Sequence, residues 1–382
     1  MSKSSDVVVI GAGVFGAWTA YHLRRAGRSV TLIDAYGAGN SRSSSGGESR
    51  VLRAGYGSQE IYSRWALQSF DQWQRLFHDA KQDLFVKTGV LWLGRENDTL
   101  TDATIRTLQR LGVRIEQLSR RDLEQRYAQF DFGPITRGVL EPESGVLLAR
   151  RAVQIIVQEA VRRGVQYRID AVASPPAANR LEFVETNGRE RVTGGSFVFA
   201  CGPWLPKLFP VLLGPLLQIT RQEVFFFGAA PGDRQFSPPA MPTWVDFHEG
   251  VYGVPDIEGR GFKIGLDRHG PPYDPDHGDR LPSSLGLLGA RTFLAARIPA
   301  LREAKLLEAK VCQYSNTPNG DLLLDKHPDF DNVWLAGGGS GHGFKHGPAV
   351  GEYLTGLVTG TSAADPRFTL VSKRTERQRT VF

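Results

Sequence analysis

The chain has 382 residues, 41% of them apolar and 23% charged, enough to bury a sizeable core and too many for one small module. Lys and Arg number 46 against 40 Asp and Glu, a net charge of +6, and the basic residues are scattered, so nucleic-acid or membrane binding gains little support. Cys201 and Cys312 stand far apart, the sequence has no HExxH pair and no run of ~20 apolar residues, and its first residues are not expected to act as a secretory leader. The expectation is a cytoplasmic protein without a disulfide framework, zinc site or membrane span. Glycine, at 43 residues, is in excess, which implies many places where backbone approaches something closely.

In chain order, residues 6–10 form a β-branched run that predicts a buried strand. A helix is predicted over 14–26, with Arg24 and Arg25 in its last turn and Gly27 as its stop. A second strand follows over 29–33 and ends at Asp34. The Gly/Ser-rich stretch 37–47 carries Arg42, Ser43 and Ser44, and helical text resumes soon after it, over 62–77. It is either a surface linker or a loop folded over a ligand. Further strands are predicted over 86–93, 197–200, 218–227 and 243–265, with a hairpin over 181–192 around Asn187-Gly188. Helices are predicted over 102–111 and 151–163. Residues 271–282 read as a loop, and a strand (332–336), a glycine-rich loop (337–343) and a helix (348–357) follow. The charged stretch 373–380 is most simply a solvated end.

Gly11-Ala12-Gly13-Val14-Phe15-Gly16 follows a strand and opens a helix, and Asp34 stands 18 positions after Gly16. In that context the pattern is a dinucleotide-binding turn. Gly11 allows the tight turn and Gly13 admits a pyrophosphate, with Val14 and Phe15 beside it at the helix N-terminus. Gly16 lets helix and sheet pack closely, and Asp34 accepts from a ribose. The motif alone does not separate NAD from FAD. The sheet, however, is interrupted by β-rich blocks and resumes near 150–204 and 330–360, which favours FAD bound in an extended conformation. The fold class is α/β (α+β overall): a Rossmann-like FAD domain over 1–83, 144–216 and 310–382, interleaved with a β-rich substrate domain over 84–143 and 217–309.

The segments VVVIGAGVFG with Asp34, GESRVLRAGYG (47–57), TGVLWLG (88–94), LEPESGVL (140–147), FVFACGPW (197–204), FKIG (262–265), VCQY (311–314) and AGGGSGHGFKHGPAVGE (336–352) span nearly the whole chain. Together they resemble the monomeric sarcosine oxidase and N-methyltryptophan oxidase family of FAD-dependent amine oxidases, of the glycine oxidase and D-amino-acid oxidase type. The resemblance implies an oxidase of a secondary (N-methyl or cyclic) or primary amino acid or related amine. Hydride transfer to flavin N5 would give an imine, and reoxidation by dioxygen would give hydrogen peroxide. Two alternatives stay open: a flavin amine dehydrogenase with another acceptor, and a non-catalytic dinucleotide-binding protein. A small-molecule substrate and a monomer or small homo-oligomer are expected.

Residue by residue, the resemblance implies that Cys312 holds the flavin through a thioether. Arg53 and Lys345 grip the substrate carboxylate, Lys263 promotes reaction with oxygen, Arg50 lies beside the flavin ring, and Tyr252 is an aromatic residue near the substrate. Cofactor contacts are further expected from Ser43, Ser44, Cys201, Gly202, Trp204, Gly338, Gly339, Gly341, His342, Gly343 and Lys345, with the thiol of Cys201 packing rather than reacting. Bland alternatives are a surface ion pair of Arg53 with Glu48 or Glu60, and a Lys263 amine snorkelling to water. Ser340 and His342 do not form a GxSxG elbow, and the backbone amides of 338–343 are expected to face the flavin. The chain departs from the family pattern at Ser45-Gly46, at Ser58, and at Asp267, where a histidine is usual. Asp267 could select a cationic group or pair with Arg268.

Overall fold

The first structural unit forms where four consecutive apolar side chains, Val7 to Ile10, are buried on both faces of a strand, Ser5–Ile10. The structure, a computed structural model, describes residues 4–176 and 178–374. The helix Val14–Arg25 and the strand Val30–Asp34 complete a parallel β-α-β unit, with Gly27 in the left-handed region at φ 82°. The sheet built on it runs in the order Leu323–Lys326, Val333–Gly337, Arg191–Phe199, Ser5–Ile10, Val30–Asp34, Gln166–Ile169. The four pairs joining the last five of these strands are parallel, so Gly11, Asp34 and Ala200 emerge along one edge of carboxyl ends. Ligands of doubly wound sheets bind at that edge. The helices Val14–Arg25, Ala149–Arg162 and Gly347–Thr359 pack on one face, around Trp18, Ile156 and Leu354.

A second, mostly antiparallel sheet runs in the order Lys305–Asn316, Gln218–Gly228, Phe262–Leu266, Val251–Val254, Thr243–Asp246, Val90–Gly94, Arg137–Glu141, Glu116–Ser119. Its own core gathers Phe225, Phe227, Trp244, Phe262 and Ile264. A small sheet of Arg50–Leu52, Gly145–Leu147 and Phe85–Val86 stands beside these two.

Several expectations change. The strand read over 86–93 is two strands, Phe85–Val86 and Val90–Gly94, because Gly89 turns the chain at φ 68°. The text over 243–265 forms three antiparallel strands. The stretch 37–47 is no free linker: Ser44 Oγ donates to the Gln313 carbonyl (2.8 Å), Arg42 Nη2 to the Asp276 carbonyl (3.0 Å), and Gln313 Nε2 to the Arg42 carbonyl (2.6 Å). Lys373 is not solvated. It is 1% exposed, and its amine donates to the Arg367 carbonyl (2.8 Å) and to Asn319 (3.3 Å). The remainder of that charged stretch, 375–380, lies outside the described residues. No described helix is long and apolar enough to cross a membrane.

Candidate active site

Two cavities meet between the sheets. The first, about 470 Å³, runs along the carboxyl ends of the parallel strands. Gly11, Gly13, Val14, Phe15 and Asp34 line its floor; Ser43, Ser44, Cys201, Gly202, Trp204, Gly338, Gly339, Gly341 and Gly343 line its sides. Gly11 sits at φ 103°, and a Cβ there would strike the Ala200 carbonyl. Gly16 does not reach the cavity; a Cβ on it would strike the Gly11 carbonyl, so its role is the close packing of helix on turn. At the other end, Asp34 accepts from the Ala12 amide (2.7 Å) on one oxygen and from the Tyr36 amide (2.9 Å) on the other. Burial pushes its carboxyl pKa up, and those amide bonds oppose the rise. Cleft size, glycine floor and a carboxylate at the strand end all fit a dinucleotide lying with its pyrophosphate over the Val14–Arg25 helix and a ribose on Asp34.

The second cavity, about 330 Å³, is lined by Arg50, Arg53, Tyr252, Lys263, Asp267, His342 and Lys345, among others. Arg50, Cys312, Tyr314, Gly341 and Phe344 line both cavities and form their common wall. His342 and Lys345, expected as cofactor contacts, line only the inner chamber.

Cationic side chains meet in that chamber. Arg53 is 6% exposed and stacks with its guanidinium carbon 4.4 Å from the Tyr56 ring centre and 4.7 Å from that of Trp92. Glu60 is paired instead with Arg64 and Arg110, and Glu48 with Lys310, Arg150 and Arg260, so the surface-pair reading of Arg53 is displaced by a buried, stacked one. Lys345 is buried, and its amine donates to Tyr56 Oη (2.8 Å) and to the His342 carbonyl (3.0 Å). Burial, and after it the charge of Arg53, pulls its pKa well below the ordinary lysine value. Lys263, 3% exposed, donates to Ser49 through its carbonyl and its hydroxyl, both at 3.2 Å, rather than snorkelling to water. Burial, with Arg50 adding to it, lowers its pKa to about 7. Arg50 reaches the Ser49 and Ser44 carbonyls (2.8 and 2.7 Å), and its Nη2 donates to Cys312 Sγ at 3.5 Å. The Cys201 thiol donates to the Ile10 carbonyl (3.3 Å), and burial pushes its pKa far up, which suits packing.

The loop Gly338–Gly343 meets expectation only in part. The amides of Ser340, His342 and Gly343 donate to Ser315, Gly339 and Gly339, so they are already engaged within the protein. Ser340 is fully buried, its hydroxyl bonded to the Gly338 carbonyl (3.0 Å), while His342 Nε2 meets the Gly320 carbonyl (3.0 Å); the two do not form a nucleophile–base pair. Asp267 accepts from the Tyr314 hydroxyl (2.7 Å), and Arg268 donates to the Glu249 carbonyl (3.1 Å).

Four site residues escaped sequence reasoning. Glu141, 1% exposed, accepts from the Ala54 and Gly55 amides (2.7 and 2.9 Å), Trp92 Nε1 (2.8 Å) and the Ser144 hydroxyl (2.7 Å), and so shapes the turn that aims Arg53. An acid directly closing the apolar run Val139-Leu140 was its signal. Tyr314 lies two residues past Cys312 on the same face of one strand. Tyr56 and His346 left no local signal, because only the fold brings them together.

Residues 6–357 match the family described as FAD dependent oxidoreductase. The chain belongs to that family. It is 32% identical over 361 residues to peroxisomal sarcosine oxidase of Homo sapiens, covering 91% of this chain and 90% of that protein. It is 30% identical over 372 residues to monomeric sarcosine oxidase of Bacillus sp. (strain NS-129), covering 94% of each. The fold is shared with L-proline dehydrogenase from P. horikoshii at a TM-score of 0.85 and 20% identity, covering 97% and 98% of the two chains. The protein is an FAD-dependent oxidoreductase of the amine- and amino-acid-oxidase type, acting on a small molecule, and the cavity described above is of the kind that cofactor requires.

Proposed function

We infer that this flavoenzyme oxidises a small amine that carries a carboxylate, such as an N-methyl, cyclic or primary amino acid, with dioxygen as acceptor. The observation that carries the reading is the convergence of Arg53 and Lys345, both buried, on a chamber that shares a wall with the dinucleotide cleft. A planar guanidinium gives a carboxylate two parallel bonds, and the ammonium adds charge. FAD, when bound, would supply the two-electron acceptor for C–N oxidation, with dioxygen as the final acceptor; the products would be an imine, which water hydrolyses, and hydrogen peroxide.

The remaining roles belong to the chain. Gly11, Gly13 and Asp34 hold the dinucleotide, while Arg50 and Cys312 stand at the common wall. Cys312 is the attachment point for a covalent flavin; its place on the wall shared by the dinucleotide cleft and the chamber supports this. Lys263 supplies a buried positive charge where oxygen becomes superoxide. Tyr252, with the Lys263 amine 5.4 Å from its ring centre, walls the chamber. The cofactor unit is assigned to 1–83, 144–216 and 310–382 and the substrate unit to 84–143 and 217–309, with the Lys305–Asn316 strand passing from one to the other. A cytoplasmic monomer or small homo-oligomer completes the reading.

The test is a screen of N-methyl, cyclic and primary amino acids beside their decarboxylated amines, scored by peroxide formed per substrate consumed in air. One peroxide per turnover, confined to carboxylate-bearing amines, is expected. Substrate consumption without peroxide would point to a different acceptor, and equal activity on the decarboxylated amines would remove the carboxylate clamp.

A further inference from the structure

Asp267 lines the chamber, and the reading above gives its carboxylate nothing to do. Its amide donates to the Gly250 carbonyl (2.7 Å), which fixes the backbone, and its Oδ1 accepts from the Tyr314 hydroxyl (2.7 Å). Its charge acts on Lys345, Tyr56 and Tyr252, so it faces the same space as the clamp. Among the described residues four acids line the chamber: Glu48, Glu223, Asp246 and Asp267. Glu48 holds Lys310, Arg150 and Arg260, and Glu223 holds Arg221 and Ser283. Asp246 is 1% exposed and accepts from the Glu249 amide (3.1 Å). Asp267 is thus the acid placed to meet a substrate.

We propose that Asp267 selects an amino acid with a further polar group, an N–H or O–H donor at the tip of its amine substituent or side chain. An alkylammonium and a hydroxyl both supply that donor. The proposal rests on Arg53 and Lys345 being the carboxylate clamp. Asp267 is then a specificity determinant, touching the substrate away from the bond that is oxidised.

Elimination leads to that donor. Two carboxylates repel, so a substrate held on Arg53 and Lys345 turns another part towards Asp267. The reacting nitrogen is not that part: a carboxylate against it would hold it as ammonium, which has no lone pair to support C–H oxidation. A methyl group is not either, because packing it over Asp267 strips water from a charge and returns no hydrogen bond. As an anchor for Tyr314 alone, a neutral asparagine oxygen would accept the same bond without repelling the substrate carboxylate. A donor at the substrate tip offsets both costs. A carboxylate accepts about four hydrogen bonds, so it holds Tyr314 and the substrate donor together.

The experiment compares amines of one shape that differ only at the tip. One series is N-(2-hydroxyethyl)glycine, N-(2-aminoethyl)glycine and N-propylglycine. The side-chain series is N-methylhomoserine, N-methyl-2,4-diaminobutyrate and N-methylnorvaline. The FAD-loaded enzyme is scored by kcat/KM from peroxide and by binding from flavin absorbance, so a ligand held but not oxidised still counts. In at least one series the wild type should favour a donor tip over the apolar one by about 10- to 100-fold, the size of one hydrogen bond to a charged group. Asp267→Leu and Asp267→Ala should both abolish that preference. Asp267→Asn tells the donors apart: it should keep a preference for hydroxyl and lose one for ammonium. A wild type that treats the three tips within about threefold in both series would overturn the proposal, as would a preference that survives in the Leu or Ala variant. N-methylpropylamine, which is N-propylglycine without its carboxylate, tests the clamp separately. If its kcat/KM equals that of N-propylglycine, the clamp fails; if it is far lower while the tips make no difference, only the Asp267 assignment fails. Binding of no member of either series would overturn both.

Discussion

Replacing Lys263 with Met should make the protein more stable and a worse oxidase at the same time. In water this amine titrates near 10.5, and in the folded protein near 7. At about 1.36 kcal/mol per pH unit, that difference is about 5 kcal/mol of native-state destabilisation, an upper figure because the site can relax. The sign follows from proton binding. Between pH 7 and 10.5 the unfolded chain holds the proton more than the folded one, so stability rises with pH across that window; below about pH 7 the whole cost is present. Met keeps the length of the side chain and removes the charge, although the Ser49 hydroxyl loses its lysine partner. The variant should therefore need more denaturant to unfold at pH 7, and the difference should shrink by pH 10. Removing one fixed donor or charge from a developing anion costs roughly 10²–10³ in rate. Flavin reoxidation should fall by that factor, while anaerobic flavin reduction by substrate changes little. Stopped-flow measurement of the two half-reactions, beside denaturant curves at both pH values, reads all of this. Equal losses in both half-reactions would refute the oxygen role, and a variant less stable than wild type at pH 7 would refute the energetic argument.

Arg53→Lys should raise KM for a carboxylate-bearing amine about 10- to 100-fold with a smaller change in kcat, because the paired guanidinium bonds are lost; steady-state kinetics check it. Glu141→Ala leaves the Ala54 and Gly55 amides and the Trp92 indole without their acceptor, at roughly 1–3 kcal/mol each, and should lower the unfolding midpoint markedly. Cys312→Ser should release its yellow colour to the supernatant on acid precipitation, whereas the wild type keeps it in the pellet. Asp34→Ala should weaken FAD binding in a reconstitution titration, because it strips the Ala12 amide of its partner as well as the ribose of its acceptor.

Legibility followed locality. The β-α-β unit and Asp34 could be read because the turn, helix and acid lie within 29 residues of one another and each has its own chemical reason. The strands Gln218–Gly228 and Phe262–Leu266 were legible as apolar runs. The helix Ser284–Arg297 was not, because Gly286 and Gly289 interrupt it and Leu285 and Leu288 face solvent, which blurs the amphipathic pattern. Lys373 misled because a charged residue near a chain end is ordinarily solvated, whereas the Arg367 carbonyl, in the turn Pro366–Phe368, and Asn319 accept from its buried amine. At the site, Arg53, Lys263 and Lys345 came from the family resemblance. The depressed pKa values of Lys263 and Lys345, the support of Arg53 by Glu141 and the contact of Tyr56 with His346, 290 positions away, depend on packing that no local pattern encodes.

Cys312 sits on the outermost strand of the second sheet, paired on one side to Gln222 along the Gln218–Gly228 strand, whereas the dinucleotide floor belongs to the first sheet. A flavin anchored there would span both sheets, bonded covalently to a strand of the second and held without covalent bonds on the floor of the first. One covalent point closes no loop in the unfolded chain, so such a tether acts instead by keeping the cofactor at hand for the folded state to bind. Heating the intact holoenzyme should then give one cooperative transition. The same protein carrying unattached FAD should lose its cofactor first and let the halves melt apart.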